Sequence, residues 1–258
     1  MNFFSKFRIP TLLGLALIIA GIGAGVFLVV KDRPFFTKAS IDLTAQNIIL
    51  SNITDSQISI SWQTQGPTTS FVTYGQRNPS ENTVLDDRDP QTPIARSIHF
   101  VTLKNLQPET TYAFKIISGS LTSDTKEFKT AKSASFQNGY GPIIGTVFEE
   151  GQPAAEAVAY LSISDGAVQS GLIKNMGNFL IPISLMRTGD LSDTFAPEPN
   201  TVGKLTIISK SDQSNVSFNV APAGTELPPI KIGENIDLTS QVSKTPTDES
   251  LFDKFDLN

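Results

Sequence analysis

The stretch from Leu103 to Ile116 constrains the fold more than any other part of this chain. Leu106 and Pro108 close one strand. Tyr112, Phe114 and Ile116 then alternate with Ala113 and Lys115, so the next strand has one apolar face and one mixed face. A tyrosine just after a Leu-x-Pro turn is placed to bury its ring between two sheets while its hydroxyl bonds back to the turn backbone. The segment therefore predicts a tyrosine corner in a β-sandwich.

The residues before it follow the same period of two. Ile48 and Leu50 predict a first strand, and Ile58, Ile60 and Trp62 share one face while Ser59, Ser61 and Gln63 share the other. Trp62 reads as a core plug. Gln65-Gly66-Pro67 reads as a turn, Phe71 to Gly75 as a strand closed by glycine, Gln76 to Pro93 as a polar stretch, and Ser97 to Leu103 as a strand. Thr54 to Trp62, Val72 to Gly75, His99 to Leu103 and Leu106 to Tyr112, with Lys126 to Thr130 as closing strand, together resemble the fibronectin type III domain over residues 41–132. Tyr74-Gly75 and His99-x-Val101-x-Leu103 most resemble the version that precedes the catalytic domain of purple acid phosphatases. The resemblance implies a seven-stranded, Ig-like sandwich. That family's catalysis does not come with it, because its metal ligands lie in a separate phosphatase domain of which this sequence shows no trace.

Residues 133–141 are small and polar and read as a linker, after which a second strand pattern starts. Gly145-Thr146-Val147, Gly151-Gln152-Pro153 and Gly177-Asn178-Phe179 follow one another in the order found in the carboxypeptidase regulatory-like, or transthyretin-like, sandwich, which residues 142–238 resemble. Leu205 to Ser209, Val216 to Val220 and Ile230 to Ile232 supply the remaining strands. The pattern is interrupted after Ile183 by Met186 to Asn200, a charged insertion carrying Pro197 and Pro199. Residues 239–258 read as an acidic flexible tail, in which Leu251, Phe252 and Phe255 fall on one side of a helical turn.

Ahead of both patterns, residues 1–10 carry Lys6 and Arg8, and residues 11–30 contain no charge at all. At about 1.5 Å per residue a twenty-residue helix spans roughly 30 Å, the hydrocarbon thickness of a bilayer. A transmembrane anchor is therefore expected, with a cytoplasmic N-terminus, a juxtamembrane linker over 31–40 and the β domains outside. The competing reading is secretion after signal cleavage, but Val26 to Val30 continues the apolar run past the small residues that a peptidase needs. Gly21 and Gly25 have the Gly-x-x-x-Gly spacing that lets two helices approach closely, which raises self-association in the membrane.

Composition removes several functions. The formal charge is −5, with 20 basic residues scattered among 25 acidic ones, so no nucleic-acid surface is expected. Cysteine is absent and His99 is the sole histidine, which takes away disulfides, thiolate sites and most metallohydrolase or Ser-His-Asp chemistry. Asp86-Asp87-Arg88-Asp89 holds three carboxylates without the calcium-loop order and reads as a solvated loop. Asn52-Ile53-Thr54 and Asn215-Val216-Ser217 fit the glycosylation sequon, which matters only in a eukaryotic secretory pathway. No catalytic, cofactor or metal residue is assigned, and binding residues stay unknown.

The sequence thus predicts an all-β chain, with two Ig-like, Greek-key β-sandwich domains in tandem after one N-terminal transmembrane helix. The function expected of it is non-enzymatic: a membrane-anchored cell-surface binding or spacer protein of a bacterial envelope, facing an extracellular protein or polysaccharide. The alternatives are an accessory subunit of a secretion or pilus-like assembly and, more weakly, an enzyme with an unrecognised site.

Overall fold

The computed structural model describes residues 42–134, 136–174 and 176–247. The expected anchor with Gly21 and Gly25, and the tail residues Leu251, Phe252 and Phe255, lie outside the described residues. Among the described residues every regular element is a strand, so the all-β reading holds, and no helix there is long and apolar enough to cross a membrane.

The first half contains β1 (Gln46–Ser51), β2 (Ile58–Thr68), β3 (Ser70–Gly75), β4 (Asn82–Leu85), β5 (Arg96–Leu103), β6 (Thr111–Ser118), β7 (Leu121–Thr122) and β8 (Lys126–Lys129). One sheet runs β1-β2-β5; the other runs β4-β3-β6-β7, with β8 also paired to β6. Register follows the alternation of the sequence. Ile58, Ile60 and Trp62 of β2 sit opposite Leu103, Val101 and His99 of β5, all turned into the core. The facing sheet contributes Val72, Tyr112, Phe114, Ile116 and Phe128. Gln65-Gly66-Pro67, expected as a turn, instead lies within β2 where its register to β5 shifts between Gln63 and Thr68. A bulge tolerates a proline that offers no ladder donor.

The second half contains β9 (Ile143–Glu149), β10 (Gln152–Pro153), β11 (Ala157–Ile163), β12 (Gln169–Leu172), β13 (Asn178–Ile181), β14 (Val202–Ser209), β15 (Gln213–Asn219), β16 (Thr225–Glu226), β17 (Ile230–Lys231) and β18 (Asn235–Asp237). One sheet is β10-β9-β13, with β16 and β17 added in parallel to β9; the other is β12-β11-β14-β15-β18. Between them Val147, Leu161, Phe179, Ile181, Leu205 and Phe218 form a second core, separate from the first.

The charged insertion folds back on this half. Met186 enters the core, Phe195 packs against it, and Arg187 pairs across the loop with Thr194. Part of the expected linker is held by the same loop. Asn138 donates to the carbonyls of Ile183 and Phe195, and the Tyr140 hydroxyl donates to the Pro197 carbonyl.

Candidate functional site

The tyrosine corner forms as expected. Tyr112 is buried, its ring stacks on Phe128 with centroids 5.4 Å apart, and its hydroxyl accepts the Gln107 N–H at 2.9 Å. The residue locks the turn.

The charged run beside it differs from expectation. Asp86 and Asp89 are almost fully buried, not solvated. Asp86 receives Arg88 through Nε at 2.7 Å and Nη2 at 2.8 Å, and also accepts the Phe100 N–H at 2.9 Å. Asp89 accepts Arg96 at 2.6 Å and the Ile94 N–H at 2.9 Å, while Asp87 accepts both the N–H and the hydroxyl of Thr102. The run thus acts as a side-chain strand laid along β5, with each carboxylate spent on a backbone or guanidinium donor. Burial pushes the Asp86 carboxyl up, but Arg88 and the Phe100 N–H outweigh it and hold the group below the usual carboxylate range.

His99 lies in the core on β5, the outer strand of its three-stranded sheet, and is 1% exposed. Its ring stacks on Trp62 at 5.1 Å with planes 14° apart. Burial lowers its pKa to about 4, with Arg88 adding to the fall and Asp86 opposing it. The imidazole is therefore neutral at pH 7 and shielded from solutes. Among the described residues no group of three or more His, Cys, Asp and Glu side chains is placed to hold a metal ion.

What sequence reasoning missed is the junction between the two sandwiches. Ile98 and Phe100 of β5 pack on Val158 and Tyr160 of β11, flanked by Ile49, Val168, Leu172 and Ile208. Polar groups ring this small third core. The Tyr160 hydroxyl meets Ser61 Oγ at 2.9 Å, and Ser51 Oγ meets Ser170 Oγ at 2.7 Å. Asn52 bonds Ser170 three times, through its N–H at 2.7 Å, its carbonyl and its hydroxyl, and its own N–H donates to the Val168 carbonyl. That Asn52 belongs to one of the two sequons, so its amide is committed to the junction and not displayed. Asn215 of the other pairs with Asn235. At the far rim Arg187, itself buried, meets Asp55 at 3.6 Å.

The signal for this junction was present in the strands. β5 reads Ile98-His99-Phe100-Val101 and β11 reads Ala157-Val158-Ala159-Tyr160-Leu161, both apolar on two faces, as strands buried on two sides must be. Ser59 and Ser61 concealed it, because serines on one face of β2 suggest water, whereas both are buried here.

Several depressions mark the surface of the described residues. A cleft of about 440 Å³ opens beside the junction, lined by Ser59, Thr102, Ser170, Lys174 and Leu185 among others. A second, of about 430 Å³, lies between Leu227-Pro228-Pro229 and the segment carrying Val242 and Lys244. The second depression is lined by Thr225, Ser243 and the Lys244–Glu226 ion pair, 3.1 Å apart.

Comparison with known proteins agrees with the first half. Residues 45–130 match the family described as the purple acid phosphatase N-terminal domain. No curated protein matches the chain. Among solved structures, the sensor domain of the anti-sigma factor RsgI4 of Pseudobacteroides cellulosolvens is similar at 20% identity, covering 36% of this chain and 98% of that one, with a TM-score of 0.29. The fn3 domain of human contactin 1 is similar at 19% identity, covering 35% and 78%, with a TM-score of 0.24. The FN1–FN3 domains of chicken CNTN1 reach 77% of this chain and 68% of theirs at 13% identity and a TM-score of 0.27.

Proposed function

We propose that this chain is a non-enzymatic, single-pass accessory subunit of a bacterial envelope assembly. In this reading residues 11–30 anchor it, the N-terminus is cytoplasmic, and the two sandwiches stand outside as one block that engages a protein partner. The second sandwich is assigned to the carboxypeptidase regulatory-like kind on the order of its three glycine triplets.

The observation that carries the proposal is the junction. Tandem sandwiches on a free linker serve as a flexible tether, and relative motion is the default when little is buried between them. Here a desolvated cluster of Ile98, Phe100, Val158 and Tyr160 is sealed by matched hydrogen bonds from Ser51, Asn52 and Ser61. Fixing two modules in one orientation has value for a subunit that must meet a partner in register, because less orientational freedom is lost on binding.

In-cell crosslinking of the full-length protein, followed by identification of what is captured, tests this. One recurrent envelope protein, lost when Phe100 and Tyr160 are both replaced by serine, is the expected result. Recovery of random neighbours alone would leave a passive spacer as the better description.

A further inference from the structure

We propose that one end of the first sandwich rests on the lipid surface, with Ile94 and Leu121 seated among the headgroups. The inference rests on the reading of residues 11–30 as an anchor. It starts from where the chain comes in. Asp42 is held by Gln65: the Gln65 N–H donates to the Asp42 carbonyl and the Asp42 N–H to Gln65 Oε1, both at 3.3 Å. The chain therefore reaches the sandwich at the end where β2 finishes.

That end is built from residues 42–47, 64–70, 90–95 and 117–123. Register places them together, since Thr68 pairs with Arg96 and Ser70 with Ser118. Asp42 is the single charged residue in these four segments. The opposite end, made by 52–57, 76–81, 104–110 and 130–132, carries Asp55, Arg77, Glu81, Lys104, Glu109 and Lys132. Bringing a charge out of water against lipid is costly, whereas hydroxyls, amides and apolar groups suit the headgroup region. The end at which the chain enters is the one poorer in charge, with Asp42 within it and Asp124 and Lys126 at its margin beside Leu121.

Two exposed apolar side chains complete it. Ile94 is 56% exposed and Leu121 40% exposed, each within one of these segments. Single exposed apolar residues are ordinary. Ile94, however, is held outward: the buried Asp89 carboxylate accepts its N–H at 2.9 Å while Arg96, paired to the same Asp89, donates to its carbonyl at 3.3 Å. A buried ion pair thus fixes the backbone on both sides of a side chain that has no core to fill. The Ser97 N–H, next in the chain, donates to Glu156 of the second sandwich, and Glu149 bonds Ser209 at that sandwich's near end. Those charged neighbours confine the lipid contact to the first sandwich. Eleven residues, 31–41, span at most about 40 Å when extended, a length that permits the contact without forcing it.

The absence of cysteine makes the test direct. Full-length Ile94→Cys, Leu121→Cys and, at the opposite end, Glu109→Cys are labelled with a polarity-sensitive fluorophore and reconstituted in phosphatidylcholine vesicles. A lipid carrying a headgroup-level nitroxide is expected to quench labels at 94 and 121 at least twofold while leaving 109 unchanged, and aqueous iodide is expected to show the reverse order. Equal iodide quenching at 94, 121 and 109, in protein that floats with the vesicles after alkaline carbonate, overturns the lipid contact and leaves the anchor intact. Protein that fails to float overturns the anchor and this inference with it. Labels shielded from both quenchers, with crosslinking between 94 positions of two copies, assign the surface to a second copy instead.

Discussion

Acidification should destabilise this protein through His99, and Trp62 should report it. The pKa of the imidazole falls from its ordinary 6.5 to about 4, chiefly because burial penalises the cation. Between pH 6.5 and 4 the unfolded chain binds a proton that the folded chain refuses, so the unfolded state is favoured as pH falls through that window. The contribution of the neutral, buried ring is complete above pH 6.5 and is lost progressively toward pH 4. At roughly 1.4 kcal/mol per pH unit the loss amounts to about 3 kcal/mol, a large share of the 5–15 kcal/mol typical of a domain. Asp86 is held below the usual carboxylate range, so its own loss falls beneath this window, whereas burial pushes the Asp87 carboxyl up, and its protonation in the folded state partly offsets the His99 loss. Urea titrations at pH 7, 6, 5 and 4 measure the slope, and a His99→Phe variant, which keeps a ring against Trp62 but cannot titrate, should flatten it. Trp62 is the single tryptophan, and its stacking partner is this imidazole. Protonation of a stacked imidazole quenches indole emission, so native fluorescence should drop with a midpoint near pH 4. A native midpoint near pH 6.5, or an unchanged urea slope in His99→Phe, would refute the burial argument.

Two other substitutions separate locking residues from bystanders. Tyr112→Phe keeps the ring on Phe128 but removes the hydroxyl that accepts from Gln107, and should cost about 1 kcal/mol in denaturant titration. Its partner profile in crosslinking should match that of the wild type; a stable variant that lost its partner would place Tyr112 in a binding surface. Asp86→Asn leaves the Arg88 guanidinium facing a neutral group in a mostly buried site, and should cost about 3 kcal/mol by thermal or urea unfolding. A cost below about 1 kcal/mol would show that Arg88 finds water on losing its partner.

The strands were legible because a sandwich writes its inner face into the chain as alternation. Tyr112, Phe114 and Ile116 appear in the sequence as they appear in the core, and β3, β5, β14 and β15 fall where the apolar runs placed them. What was illegible has a shared cause: polar residues in a pattern were assumed to face water. Asp86 and Asp89 form part of a charged run, yet they are buried because Arg88, Arg96 and backbone N–H groups satisfy them, which sequence spacing alone does not reveal. Ser59 and Ser61 share a polar face, yet that face carries the second sandwich, because short hydroxyls can be buried once Thr102 and Tyr160 answer them. Apolar strands buried on both sides give the more dependable sign of a junction than polar strands give of a surface. An apolar group has little to gain from water, whereas a polar group can exchange water for a partner supplied by a distant segment. By that criterion β5 and β11, and not the loops between them, identify how the two sandwiches were joined.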